Sequence, residues 1–323
     1  MTSDMSHTRS FLCGLAAALL LGGLAAFSPR PAHADDTPTT MAQNPDPPAQ
    51  PAGSDQEANL PQVTVEAQRQ LEHQIHDFVR ALTRSASSDE ALKRWQEPVC
   101  PLVAGLPGSQ GEFVLTRISS VARAAGVPLA PQECRPNLYI VVTATPDKLL
   151  SLWQHRHRRL FGGASSTEVR DFLTKPRPIR VWYNVTFGTN FGTQLDQGAP
   201  ELGAVFSSTP SNHHFSGSHL VIDDVPLFSS VIIVVDVVQV SGLQYGQLAD
   251  YIAMAALAQL DLDVQLNAPS ILQLFAPRPA DVPKPAGLST WDVAFLKALY
   301  STRQGSTMQR SSIATSMLRA MAQ

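Results

Sequence analysis

The chain has 323 residues, a formal net charge of -3 and a charged fraction of only 16%. It has no basic patch of the nucleic-acid-binding type, so we predict no nucleic-acid partner. The densest cationic cluster, HRHRR (residues 155–159), ends a predicted helix, where cations complement the helix dipole. Phosphate or nucleic-acid binding by this cluster is the alternative.

The first 34 residues have the features of a secretory signal peptide. A short basic start containing His7 and Arg9 precedes an apolar run, and the sequence AHA at residues 32–34 is a small-x-small cleavage site. We therefore expect residues 1–34 to be removed, with an uncleaved membrane anchor as the alternative. The predicted location is periplasmic or secreted, with no membrane span after signal cleavage.

Residues 35–62 are rich in Pro, Gln, Ala, Asp and Thr and contain hardly a large apolar side chain. Such a segment cannot bury enough surface to offset the entropy of ordering, so we predict a disordered, Pro-rich tether. The folded part is expected to begin near Val63.

Two cysteines, Cys100 and Cys134, remain after the predicted cleavage. An even pair in an exported chain favours a structural disulfide, and the chain contains no C-x-x-C redox motif. Closing this loop stabilises the fold by about 3.5 to 4 kcal/mol on the chain-entropy model. The glycine-rich stretch LVAGLPGSQG (residues 102–111) is predicted to be a turn region beside the disulfide.

Residues 63–175 are predicted to form a subdomain of helices and a strand that is pinned by the disulfide. The apolar spacing of QLEHQIHDFVRAL predicts one amphipathic helix, and EFVLTRISSVARAA predicts a second that Gly126 stops. NLYIVVTAT predicts a strand. Thr145 as N-cap, followed by a proline and an acid, predicts a further helix through Leu160.

Residues 176–323 contain strands followed by helices, which predicts an α+β layered domain. The candidate strands are PIRVWYNVTF, GAVFSS, SHLVID and SSVIIVVDVVQV. The last of these, residues 229–240, is nearly continuous in Val and Ile, as expected for a strand covered on both faces. Gly242 ends it. An apolar helix, the apolar turn SILQLF, the helix LSTWDVAFLKALY and an amphipathic helix from about Thr307 are predicted to follow.

The order of elements between about Val231 and Tyr300 resembles that of the metzincin zinc peptidases, and of matrixins especially. An apolar helix in YGQLADYIAMAALAQLDLDVQL (residues 245–266) follows a strand. SILQLF stands where that family has a methionine-containing turn, and LSTWDVAFLKALY is similar to its closing helix, LSxxDxxxxxxLYG. The resemblance implies a zincin-like mixed sheet with C-terminal helices. In that family the motif HExxHxxGxxH begins on the helix and binds zinc.

The zinc motif is absent from this helix. Laid on the family's pattern, the ligand positions fall on Met254, Ala258 and Val264, and the general-base position falls on Ala255. A catalytic zinc needs imidazole or equivalent ligands and a carboxylate near its bound water. Residues 247–264 contain no His, Glu or Cys. We therefore exclude zinc hydrolysis from this helix and predict that it is core.

A second group of candidate metal ligands lies in SNHHFSGSHLVIDD, residues 211–224. Three histidines and two acids could bind zinc or copper. The segment is polar, contains glycine and lacks helical i, i+4 placement, which favours a solvated loop, so no metal or cofactor is predicted. The candidates, should a site exist, are His213, His214, His219, Asp223 and Asp224.

Asp236 is the acid within the strongest predicted strand, on the same face as Val234 and Val238. We expect it to be buried, and a hydrogen-bonded structural role is favoured over a catalytic carboxyl with a raised pKa. The nucleophile elbow G-x-S-x-G is also absent from the chain.

These features predict an exported protein with a catalytically inactive, zincin-like domain, a pseudo-peptidase. It would bind or scaffold an unidentified envelope protein or peptide. The alternative is a metal-dependent hydrolase that uses the segment with His213, His214 and His219, together with Asp223 or Asp236. A third possibility is an α+β assembly module unrelated to zincins.

Overall fold

The computed structural model describes residues 60–84, 86, 91–161, 165–189, 224–305 and 308–322. All of them belong to the unit Gln56–Gln323. The predicted signal peptide and most of the predicted tether lie outside the described residues, as do the predicted strands GAVFSS and SHLVID.

Seven α-helices, four strands and two 3₁₀ turns lie within the described residues. The first helix begins three residues before the predicted start of the fold. The elements are α1 (Leu60–Leu82), β1 (Pro101–Ala104), α2 (Gly108–Ala125), β2 (Leu138–Thr143), α3 (Pro146–Arg156), a 3₁₀ turn (Arg158–Phe161), α4 (Ser166–Thr174), β3 (Ile179–Thr189), β4 (Asp224–Asp236), α5 (Tyr245–Leu257), a second 3₁₀ turn (Ile271–Phe275), α6 (Thr290–Ser301) and α7 (Gln309–Met321).

The four strands form one mixed sheet in the order β1-β2-β4-β3. β1, β2 and β4 are parallel, and β3 pairs antiparallel with β4. Strands from both halves of the chain therefore build the same sheet. The Val/Ile run Val231–Val235 is buried on both faces, as a central strand between two layers requires. β4 ends at Asp236, so the last four residues predicted as strand form a turn instead.

The predicted turn region LVAGLPGSQG contains strand β1 and the first turn of helix α2, so that prediction was wrong. β1 was missed because it has only four residues and two of its side chains remain exposed. Gly105 follows it with a φ of 86°, and a Cβ there would lie 2.0 Å from the carbonyl oxygen of Val142. The glycine therefore permits a close approach between the two parallel strands.

Two helical layers cover the sheet. Side chains that alternate along β2 and β4 face α1, α2, α5, α6 and α7 on one side. The other side packs against α3 and α4 through an aromatic cluster of Phe161, Phe172 and Trp182. Helix α4 was not predicted, although its capping box of Ser165 and Glu168 is a recognisable start signal.

Helix α3 is shorter than predicted. It ends at Arg156 rather than Leu160, and a 3₁₀ turn continues the chain to Phe161. Thr145 is its N-cap, but the threonine side chain makes no capping hydrogen bond. Helix α2 ends as predicted, because Gly126 adopts the left-handed conformation with a φ of 80°.

The observed class is α+β, with a four-stranded mixed sheet, C-terminal helices and one disulfide. Cys100 and Cys134 form that disulfide, as predicted, and it closes the loop that contains β1 and α2. Among the described residues, no helix combines the length and the apolar character needed to cross a membrane.

Candidate functional site

Helix α5 occupies the place in the chain where the metzincin resemblance puts a zinc-binding helix, and it is enclosed on all sides. Every residue from Leu248 to Leu257 is buried. Four of these ten are alanines, whose short side chains let α2 pack closely against α5. Burial around the whole circumference is the expected fate of a helix that is apolar on every face.

The four positions at which the resemblance predicts zinc ligands and a general base lie in the hydrophobic core. Met254 and Ala255 are on the helix with no exposed surface, while Ala258 follows its end in an extended conformation. Val264 is buried in the same cluster. Three of these side chains have no lone pair to offer, and the fourth is a thioether. A zinc ion needs nitrogen, thiolate or carboxylate ligands, so these residues cannot hold one.

The C-terminal end of α5 is held by aromatic side chains from three other parts of the chain. A helix end leaves carbonyl oxygens without intrahelical partners, and α5 has neither a glycine nor a basic residue there. The Tyr183 hydroxyl donates to the carbonyl oxygens of Ala255 and Ala258, at 2.7 and 3.2 Å. Two further donors complete the arrangement: the Trp95 indole nitrogen to Ala256 (2.8 Å) and the Tyr300 hydroxyl to Leu257 (2.6 Å).

These two phenols are neutral donors. Burial raises the pKa of Tyr183 and of Tyr300 far above the ordinary tyrosine value. Both hydroxyls therefore keep their protons at physiological pH, and the arrangement serves as a cap for α5. Each hydrogen bond of this kind contributes about 1 kcal/mol net, but a buried carbonyl left without its donor costs about 1 to 3 kcal/mol.

The apolar 3₁₀ turn Ile271–Phe275 is joined to helix α6 by Asp292. This carboxylate accepts from the Ser270 hydroxyl at 2.6 Å and from the Ile271 backbone N–H at 2.8 Å. It also accepts from the backbone N–H and the hydroxyl of Ser289, both at 2.9 Å. Burial raises the pKa of Asp292, while these four hydrogen bonds act in the opposite direction. The Phe275 ring in turn contacts Tyr251 of α5 edge-on.

Asp250 provides the charged contact of α5. Its carboxylate pairs with Arg117 of α2 through two hydrogen bonds, at 2.6 and 2.8 Å, and accepts from the Leu288 backbone N–H at 3.0 Å. The hydrogen bonds with Asp250 raise the pKa of Arg117. A Cβ on Gly287 would lie 2.7 Å from the Asp250 oxygen Oδ2. Glycine at this position therefore lets the backbone before α6 come close to the Asp250 carboxylate.

The sequence reasoning missed these contacts, although two signals for them exist. A helix that ends without glycine needs donors from elsewhere, and an aspartate within an apolar helix needs a partner. Neither signal identifies the partner, because Trp95 and Ala256 are 161 residues apart and Arg117 and Asp250 are 133 residues apart.

Asp236 was predicted to be a buried residue inside a strand, and that prediction was wrong. It ends β4 instead of interrupting it, is only half-buried, and its neighbour Val238 is 64% exposed. Its carboxylate accepts from the backbone N–H groups of Val238 and Gln239 and from the Gln239 side-chain amide. These contacts close the turn after β4, which gives Asp236 a hydrogen-bonded structural role.

The candidate metal ligands His213, His214, His219 and Asp223 lie outside the described residues, and the side chain of Asp224 does too. Within the residues that the structure describes, no three His, Cys, Asp or Glu side chains form a group that could hold a metal ion.

Comparison with protein-family models, with curated proteins and with solved structures found no match to this chain. What is established is therefore the fold class: the chain is an α+β protein with a mixed four-stranded sheet and one disulfide. The arrangement around α5 is the structural basis on which a function can be proposed.

Proposed function

We propose that this chain is an exported protein, periplasmic or secreted, whose zincin-like domain is catalytically inactive and acts by binding or scaffolding in the cell envelope. The observation that carries the proposal is the burial of Met254, Ala255 and Ala258 in the core. These residues occupy the positions of ligand and base in the resembling family, and their side chains supply neither role.

The surroundings of α5 support the same proposal. The 3₁₀ turn Ile271–Phe275 packs against α5, and Asp292 of the following helix hydrogen-bonds to that turn. The helix, the apolar turn and the closing helix therefore follow one another in the chain and also contact one another in the fold. The carbonyl end of α5 is closed by Tyr183, Trp95 and Tyr300. These contacts make α5 a structural element of the proposed domain.

The catalytic part of the proposal is tested by measuring zinc content and peptidase activity of the protein purified from the periplasm or medium. A variant with His213→Ala and His219→Ala serves as the control. We expect substoichiometric zinc in both proteins and no hydrolysis of casein or of a fluorogenic peptide mixture above a protein-free blank. Stoichiometric zinc that the double variant loses, with activity that falls alongside, would establish the metal-dependent hydrolase instead.

The binding part is tested separately by crosslinking in intact cells, followed by purification of the tagged full-length protein. We expect it in the envelope or secreted fraction, with one envelope protein or peptide recovered in constant ratio. Recovery from the cytoplasm would overturn the assigned location, and a protein that is exported but crosslinks only to itself would overturn the binding role.

A further inference from the structure

The outward face of helix α3 combines cations with an exposed leucine. Lys148, Leu152 and Arg156 are spaced four residues apart, so they lie in one row along the helix, with His155 beside them. All four are exposed, and Leu152 retains 44% of its accessible surface. We call these four residues the α3 strip.

The α3 strip belongs to a stretch between Asp147 and Glu168 whose charged side chains are all cationic. From Lys148 to Thr167 the sequence contains no Asp or Glu, whereas the chain as a whole carries a net charge of -3. Complementing the helix dipole needs cations only in the last turn, where His155 and Arg156 lie. Arg158 and Arg159 follow in the 3₁₀ turn, beyond that requirement. The cationic run therefore exceeds what the end of α3 needs.

A second exposed leucine lies on the face of the sheet that α3 covers. Leu102 of β1 is in register with Tyr139, whose ring packs under α3, and Leu102 is 42% exposed. Asp147 pairs with Arg180 of β3 at 2.6 Å, which places that flank of α3 toward β3. Leu152 is five residues further on, about 140° around the helix axis. Leu152 therefore lies away from the β3 flank, on the outward face of α3.

We propose that the α3 strip and Leu102 form a surface that docks on a bilayer containing anionic phospholipids. Leucines that border cations fit an interface in which acyl chains lie directly beneath phosphate groups. A soluble polyanion or an acidic protein would satisfy Lys148 and Arg156 but offers no adjoining acyl phase to Leu152. This inference deepens the proposed envelope role by naming a lipid as a binding partner, and it rests on the proposed export.

The proposal is tested by co-sedimentation of the purified full-length protein with vesicles. One set contains phosphatidylcholine and phosphatidylglycerol, and the other contains phosphatidylcholine alone. We expect roughly tenfold tighter binding to the anionic vesicles, weakening as salt is added. Binding that is absent, or equal for both vesicle types, overturns the proposal.

Matched variants locate the binding surface. We expect Lys148→Ala with Arg156→Ala, and separately Leu152→Ser, to weaken binding to the anionic vesicles roughly tenfold. The charge control is Arg123→Ala with Arg319→Ala, at exposed positions of α2 and α7, and the apolar control is Val282→Ser. Both controls should bind within about twofold of the unaltered protein. Equal losses in the controls would show unspecific attraction and overturn the assignment.

A competition arm separates lipid from other anionic partners. Polyglutamate should displace the protein poorly from anionic vesicles. If it competes fully, and Leu152→Ser binds as well as the unaltered protein, the surface recognises acidic polymers and the lipid proposal fails. Vesicle binding is measured on purified protein, so its failure is distinct from a failure of export or of the inactive-domain assignment. Unchanged thermal unfolding of each variant shows that the fold is intact.

Discussion

Single buried polar side chains join helix α5 to distant parts of the chain. Tyr300 illustrates this at the scale of one residue, because its hydroxyl donates to the Leu257 carbonyl and accepts from the Trp95 backbone N–H. Both partners lie in the interior, where an unmade hydrogen bond is not replaced by water. One oxygen atom therefore connects α6, the end of α5 and the segment before β1.

Tyr300→Phe is expected to lower the free energy of unfolding by about 1 to 3 kcal/mol, because it leaves the Leu257 carbonyl and the Trp95 N–H without this partner. Urea denaturation followed by circular dichroism measures the change. The matched control is Tyr245→Phe, since Tyr245 is 46% exposed and water can replace its contacts. Equal midpoints for the two variants would contradict the assigned cap.

At the scale of elements, α5 shows how a helix without an exposed face is stabilised. Its alanines allow close packing, Asp250 is neutralised by Arg117, and its last carbonyls receive Tyr and Trp donors. The 3₁₀ turn Ile271–Phe275 covers the helix and is itself tied to α6. The element therefore depends on long-range partners at each point where a polar group is buried.

Met254→Asp is expected to be severely destabilising, by about 3 to 5 kcal/mol, because it places an unpaired charge in the packed core. Met308→Asp is the matched control, since Met308 is 66% exposed. Thermal unfolding of both variants checks this. A soluble Met254→Asp protein that melts within a few degrees of the control would show that the position is not enclosed.

Asp263 joins two other elements through ion pairs and gives a pH-dependent prediction. Its carboxylate pairs with Lys175 after α4 and with Arg177 before β3. Burial raises the pKa of Asp263, but the hydrogen bonds and charges of Arg177 and Lys175 outweigh it and hold the pKa below its ordinary value of 3.8. The stability that these pairs provide is therefore complete above that value and is lost as the pH falls through the lowered pKa.

Asp263→Asn is accordingly expected to lower the melting temperature modestly at pH 7 and to have progressively less effect below about pH 4. Melting curves of the variant and the unaltered protein across this range measure the difference. Asp281→Asn, at an exposed position, serves as the control. A difference that stays constant as the pH falls below the lowered pKa would rule out the ion-pair origin of the effect.

At the scale of the whole molecule, one sheet unites strands from both halves of the chain, and the disulfide closes the loop that carries β1 and α2. Cys100 and Cys134 are 34 residues apart in sequence. The cross-link restricts the conformations of the unfolded chain. Within the loop that it closes, β1 is a short edge strand that pairs with β2 alone.

Replacing Cys100 and Cys134 with alanine is expected to lower the free energy of unfolding by about 3.5 to 4 kcal/mol on the chain-entropy model. Denaturation of the oxidised protein, the reduced protein and the double variant measures this. The reduced protein and the double variant should unfold at similar denaturant concentrations. If the oxidised protein unfolds with them, the bridge does not stabilise the fold.

Local patterns in the sequence were enough to identify several elements of this protein. The Val/Ile run marked β4 as a central strand, the charge-poor run marked α5 as a hidden helix, and Gly126 marked the end of α2. The two cysteines were paired correctly. These features can be predicted because composition and periodicity are local properties. Burial of an element on one or both faces requires apolar side chains at regular positions along a short stretch of sequence.

The distant residues that complete these elements become known from the folded chain. β1 is a strand because β2 lies beside it, and Gly105 permits that approach. The cap on α5 needs Trp95, Tyr183 and Tyr300, which no local pattern brings together. The physical reason is that a buried carbonyl or carboxylate specifies only that it needs a partner. Which side chain supplies that partner depends on packing across the whole molecule.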